Sequence, residues 1–141
     1  MAAENGKALV RRWIEEVWIN QNLDLVDEIF APSYAVNGHP VGPEGVRAAV
    51  AQLHKAFGEP TVLVEDLLAE ADQVVLRWRI RGTHDGVLFG VPATGRTIEL
   101  TGTNIYRISA GRIVENWENV DVLATLRQLG LTPAAGAGSA E

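Results

Sequence analysis

Residues 73–82 read Gln-Val-Val-Leu-Arg-Trp-Arg-Ile-Arg-Gly. Val74, Leu76, Trp78 and Ile80 alternate with Val75, Arg77, Arg79 and Arg81. Successive side chains of a strand point to opposite faces. This spacing therefore predicts a strand with one buried face and one face offering a row of arginines to solvent or a partner. Working outward, residues 61–70 predict a preceding strand that turns at Ala71-Asp72, and residues 96–108 and 112–121 predict two following ones. A tight turn at Ser109-Ala110-Gly111 joins the last two, and the Gly- and Pro-rich stretch 83–95 is a crossing loop.

Upstream of Pro60 the apolar period is helical. Leu9, Trp13 and Val17, flanked by Val10, Ile14 and Trp18, predict a first helix over 4–21. Leu23, Val26, Ile29 and Phe30 predict a short second helix over 23–31, stopped by Pro32. An extended piece at 34–37 and breaks around Gly38 and Gly42 lead to a third helix over 43–57. Val46, Val50, Leu53 and Phe57 form its stripe, and Gly58 and Pro60 end it. Residues 122–131 predict a closing helical turn, and the Ala- and Gly-rich residues 133–141 a disordered tail. Helices followed by consecutive antiparallel strands give an α+β fold, one domain over 1–132. The helices cover one face of a strongly curved sheet, and the open end of that cone is a natural ligand site.

Composition narrows the function classes. The chain has 141 residues, a net charge of −6 and no cysteine. That excludes disulfides, thiolate metal sites and cysteine nucleophiles. An acidic balance disfavours nucleic acid as the main partner. The first residues lack the basic-then-apolar order of a signal peptide, and no apolar run approaches a membrane span, so the expectation is a soluble cytoplasmic protein.

Candidate site residues cluster on the later strands. Parity on 112–121 places Ile113, Glu115, Trp117, Asn119 and Asp121 on one face. Two apolar anchors followed by polar groups suit a pocket wall, with a solvated strand end as the alternative for Glu115 and Asp121. On 96–108, an outward Arg107 puts Leu100, Gly102, Asn104, Tyr106 and Ile108 inward. Asn104 is then a buried amide needing partners or a ligand, and Gly102 permits a bend. Trp13, Trp18, Trp78 and Trp117 converge as aromatic walls suited to a planar ligand. His39 and His84 lie in loops that reach toward the cone mouth, either as structural hydrogen-bonding groups or as pocket groups. The three histidines share no metal-ligand spacing, and no serine sits in a nucleophile elbow. Residues 90–97 match phosphate-loop spacing except for Arg96 in place of Lys. A strand pattern follows where such a loop must open a helix, so these glycines read as a lid-like loop.

Taken together, Gly82-Thr83-His84, Gly90 to Arg96, Gly102 with Ile105-Tyr106-Arg107, Gly111 to Glu115, Trp117, Asp121 and Gln128-Leu129-Gly130 resemble the SnoaL-type polyketide cyclase and ester cyclase proteins of the nuclear transport factor 2-like superfamily. The opening helices and Gly42-Pro43-Glu44-Gly45 fit as well. The resemblance implies an α+β cone, homodimerisation through the outer sheet face and chemistry without a cofactor. It also implies a last-strand carboxylate acting as general acid/base in an intramolecular aldol condensation. Asp121 matches that position, with Asn119 or Glu115 as alternatives, and Asn37 or His39 occupies the place of a family histidine.

The expected activity is cyclisation of a small hydrophobic, polyketide-like carbonyl compound, without metal. Asp121, His84, Asn104 and Asn119 are the catalytic candidates, and Trp18, His39, Trp78, Tyr106, Trp117 and Glu115 the substrate-binding ones. Hydrolysis or isomerisation of a small apolar molecule in the same pocket, or ligand binding without turnover, are the competing readings.

Overall fold

The computed structural model describes residues 2–131; the predicted tail at 133–141 lies outside them. Helix α1 (Ala2–Arg12) continues into a π-helical segment, Trp13–Ile19. A single 3-10 turn at Leu23–Leu25 and the short α2 (Val26–Ile29) follow. Strands β1 (Phe30–Val36) and β2 (His39–Pro40) form a hairpin. Helix α3 (Gly42–Ala56) leads into β3 (Phe57–Glu70), β4 (Gln73–His84), β5 (Thr97–Ser109), β6 (Arg112–Val120) and α4 (Val122–Gln128).

The second helix is shorter than its apolar period predicts, because Phe30 already has extended backbone and Pro32 is accommodated inside β1. Gly58 and Pro60 do not break the chain after α3 either. They form the irregular start of β3, where the pairing with β4 shifts register and Glu59 takes a positive φ of 49°. A second shift follows at Glu65. Bulges and acidic side chains at Glu59, Glu65, Asp66 and Glu70 keep this edge strand from pairing with foreign chains.

All six strands form one sheet in the order β2-β1-β6-β5-β4-β3. β1 and β6 run parallel, and the other pairs are antiparallel. Val74, Leu76, Trp78 and Ile80 face the core, as the alternation predicts. On β5, Leu100, Asn104 and Tyr106 are buried as well. Helix α1 lies over β3 and β4, and α3 over β1 and β3, so the helices cover the concave face.

Strand β6 departs from simple alternation. Ile108 pairs with Ile113, but Arg107 pairs with Glu115, leaving Val114 unopposed. One extra residue inverts every later side chain relative to a count begun at Ile113. Ile113 is fully buried, yet it is Asn116 and Glu118, not Glu115 and Trp117, that turn inward beyond the bulge.

The convex face carries the predicted arginines, and each is neutralised within the chain. Arg77 bonds Asp66 at 2.6 Å, Arg79 bonds Glu65 at 3.3 Å and Glu99 at 2.9 Å, and Arg81 bonds Glu99 at 2.6 Å. The hydrogen bond from Arg81 is the main reason that the Glu99 carboxyl is held below its ordinary value. Beside this charged band the register lines up Leu68, Val75, Ile105 and Trp117 on four adjacent strands. Leu68 is 61% exposed and Trp117 47%.

Candidate active site

Helices over a bent sheet leave a cavity of about 460 Å³ between α3, the π-helical segment and the inner faces of β4, β5 and β6. Val46, Val50, Leu53, Phe57, Ile80 and Leu100 make most of the wall apolar. Val41 and Phe89, both well exposed, stand at its rim.

One side of the cavity is built of indoles. Trp13 and Trp18 are five residues apart, a spacing that would splay them on an α-helix. In the wider π turn the fifth residue comes back over the first, and the rings stack at 5.6 Å with planes 5° apart. Trp78 meets Trp18 edge-on at 5.3 Å. His54 Nε2 lies 2.7 Å from the main-chain oxygen of Trp18, anchoring the end of the segment to α3.

The opposite side is a directed polar network. The Trp78 indole N–H can only donate, so it fixes Asn104 Oδ1 as its acceptor. Asn104 Nδ2 then donates to Asn116 Oδ1 at 2.8 Å and to Glu118 Oε1 at 3.1 Å. Asn116 Nδ2 donates in turn to the Tyr34 hydroxyl at 3.2 Å and to the same Glu118 oxygen at 3.3 Å. Among the described residues Glu118 is the only carboxylate lining this cavity, and two amides hold one of its oxygens. The other oxygen makes no hydrogen bond to the described residues.

Two phenols complete this side. Tyr106 accepts from the Trp13 indole N–H at 3.0 Å and Tyr34 from Asn116, so each keeps its own proton to donate. Burial pushes both hydroxyls well above the ordinary tyrosine value, with the charge of Glu118 adding to the rise. Both are neutral hydroxyls on residues that line the cavity, each with a proton left to donate. These are the only tyrosines in the chain. On alkaline titration the ultraviolet absorbance of phenolate should therefore stay flat past the ordinary value of 10.0 and rise only as the protein unfolds. Because only the unfolded chain releases these protons readily, their contribution to stability is full below that value and declines above it.

Of the residues expected at the site, Asn104, Tyr106, Trp18 and Trp78 meet in the cavity. The others lie elsewhere. Asp121 is exposed and follows β6, where its carboxylate accepts from Ala124 N–H at 3.0 Å and caps α4. Asn119 and Trp117 face the convex side, inverted by the bulge at Val114, and Glu115 pairs there with Arg107 at 3.0 Å. His39 is exposed on the short β2. His84 is fully buried at the end of β4 but does not line the cavity, and its Nδ1 meets Thr94 Oγ1 at 2.9 Å. Sequence reasoning missed Tyr34, Asn116 and Glu118. The available signal was Arg107: once it points outward, a salt-bridge partner at Glu115 must also point outward, which places Asn116 and Glu118 inside.

Comparisons with known proteins agree with this architecture. A family model described as SnoaL-like polyketide cyclase matches residues 8–129. The chain is 34% identical over 128 residues to aklanonic acid methyl ester cyclase of Streptomyces peucetius, spanning 86% of this chain and 88% of that one. It is 31% identical over 113 residues to nogalonic acid methyl ester cyclase of Streptomyces nogalater, spanning 76% and 84%. Among solved structures, TsrD from Streptomyces laurentii matches with a TM-score of 0.81 at 26% identity, over 90% of this chain and 96% of that one. Wild-type IdmH from Streptomyces antibioticus matches with a TM-score of 0.76 at 30% identity, over 89% and 99%.

Proposed function

The chain belongs to the SnoaL-like polyketide cyclase family, and we propose that it closes a ring in a polyketide-derived methyl ester by intramolecular aldol addition, without a cofactor. The observation that carries this reading is Glu118, the one carboxylate that lines the cavity among the described residues, held by two amides and accompanied by two neutral phenols within largely apolar walls. Glu118 takes a proton from the carbon alpha to a carbonyl. Tyr34 and Tyr106 donate hydrogen bonds to the developing enolate oxygen. The carbanion attacks a second carbonyl carbon of the same molecule, and the new alkoxide recovers the proton from Glu118, so no proton is gained or lost overall. The stacked indoles hold a planar substrate and keep water from the enolate.

Aklanonic acid methyl ester and nogalonic acid methyl ester are the probes to use, since two relatives are named for them. Ring-closed product is expected, with solvent deuterium entering the alpha carbon, and Asp121→Asn should behave like the parent. Neither product nor exchange from either ester, or a dead Asp121→Asn with an active Glu118→Gln, would overturn the assignment.

A second copy of the chain fits the convex face. The arginine band is already neutral, so two such faces can approach without repulsion, and the Leu68–Val75–Ile105–Trp117 row is apolar surface of the kind that marks contact sites. Sedimentation should give a dimer for the parent and a monomer for Ile105→Glu; a monomeric parent would refute the pairing.

A further inference from the structure

We infer that Asn37 is a positioning residue for Glu118, acting through the main chain of β6 rather than on the substrate; this rests on the reading of Glu118 as the base. Asn37 and Gly38 form the two-residue turn between β1 and β2, with φ of 50° and 84°. Both left-handed values are those of the hairpin turn for which Asn-Gly is the favoured pair. Asn37 N–H donates to Asn116 O at 2.9 Å, the last main-chain bond between the parallel strands β1 and β6. Beyond it β1 bends away, and the next peptide edge of β6, that of Glu118, would lose its partner.

The Asn37 side chain fills that gap. Its Oδ1 accepts from Glu118 N–H at 2.8 Å and its Nδ2 donates to Glu118 O at 3.3 Å. The amide thus stands in for one more residue of β1. Because the Glu118 peptide groups point toward β1, its pairing with Asn104 on β5 is of the type without direct main-chain bonds. That pairing brings side chains closest together, and it is where Asn104 reaches the Glu118 carboxylate. The amides of Asn104 and Asn116 thus hold the head of Glu118, and Asn37 holds its root. The left-handed turn aims that side chain sideways along the sheet, which explains an Asn at a place where glycine would also satisfy the backbone.

Asn37→Gly keeps the turn and removes the clamp. With aklanonic acid methyl ester, kcat should fall by about 10²-fold, the scale of a misplacement near 1 Å, with KM nearly unchanged. In the Glu118→Gln background the same change should add almost nothing, since the two residues act as one unit. Asn37→Asp restores the acceptor but not the donor, and should recover part of the loss. The Glu118 amide should exchange with solvent deuterium faster in Asn37→Gly while the β4 amides do not. Unchanged exchange at Glu118 overturns the inference with or without turnover. So does a kcat loss of equal size in both backgrounds, which would be a general effect on the fold. If Glu118→Gln is inactive but Asn37→Gly is unimpaired, the inference alone fails. If Glu118→Gln is fully active, the base assignment fails and takes the inference with it, whatever the exchange data say about the clamp.

Discussion

Glu118→Gln should leave a folded protein whose turnover is about 10²–10⁴-fold lower, the usual contribution of a positioned base. Glutamine has the same shape and keeps a carbonyl oxygen to accept from Asn104 Nδ2 and Asn116 Nδ2, so the network from Trp78 to Tyr34 has no reason to rearrange. What disappears is the negative charge and the capacity to take a proton. KM should move little, because binding rests on the indoles and the apolar walls. The check is steady-state kinetics alongside a melting curve. A loss of only a few-fold with an unchanged melting temperature would remove Glu118 from the reaction.

Gly102→Ala should be the most damaging single methyl group that can be added to the site. A Cβ on Gly102 would overlap the six-membered ring of Trp78. That indole cannot step aside: Trp18 packs on it edge-on at 5.3 Å, and its N–H is committed to Asn104. Overpacking a core typically costs about 1–3 kcal/mol. If the indole N–H is pulled off Asn104, a buried donor without a partner adds about 1–3 kcal/mol more. For a domain of this size each kcal/mol lowers Tm by about 2–4 °C. The near-ultraviolet circular dichroism of the coupled tryptophans should also weaken below the melting transition. A Gly102→Ala protein with parental Tm and spectrum would mean that the cavity yields more easily than its contacts imply.

Much of this architecture was legible because its signals are local. The β4 alternation turns Trp78 inward, an outward Arg107 sets the parity of β5 and with it Asn104 and Tyr106, and the helical period of the first segment brings Trp18 to the same side. The parts that were not legible depend on partners distant in sequence. A π segment uses the same residue types as an α-helix; Trp13 and Trp18 are held in it by Phe30, Trp78 and His54. Gly58 and Pro60 looked like breakers, but β3 is an edge strand that absorbs them as an irregularity. The sequence places His84 in a loop and leaves a structural and a pocket role both open; β4 extends far enough to bury it on the inner face beside Thr94, the structural alternative. Asp121 carries the acidic type expected of a last-strand base, but it begins the next helix.

The surplus residue Val114 has a consequence for how chains of this kind are compared. Counting side chains forward from the Ala110-Gly111 turn assigns Glu118 to the outside of the sheet, while counting backward from the Asp121 cap assigns it to the inside. Only the second count agrees with the pairing. Deleting Val114 would keep the partners of the later residues on β5: Arg107 would still oppose Glu115, and Asn104 would still oppose Glu118. Where one homologue has this residue and another lacks it, the placement of a one-residue gap decides which acid is equated with which. The identity of the reacting group is then a question of chain length before it is one of residue type.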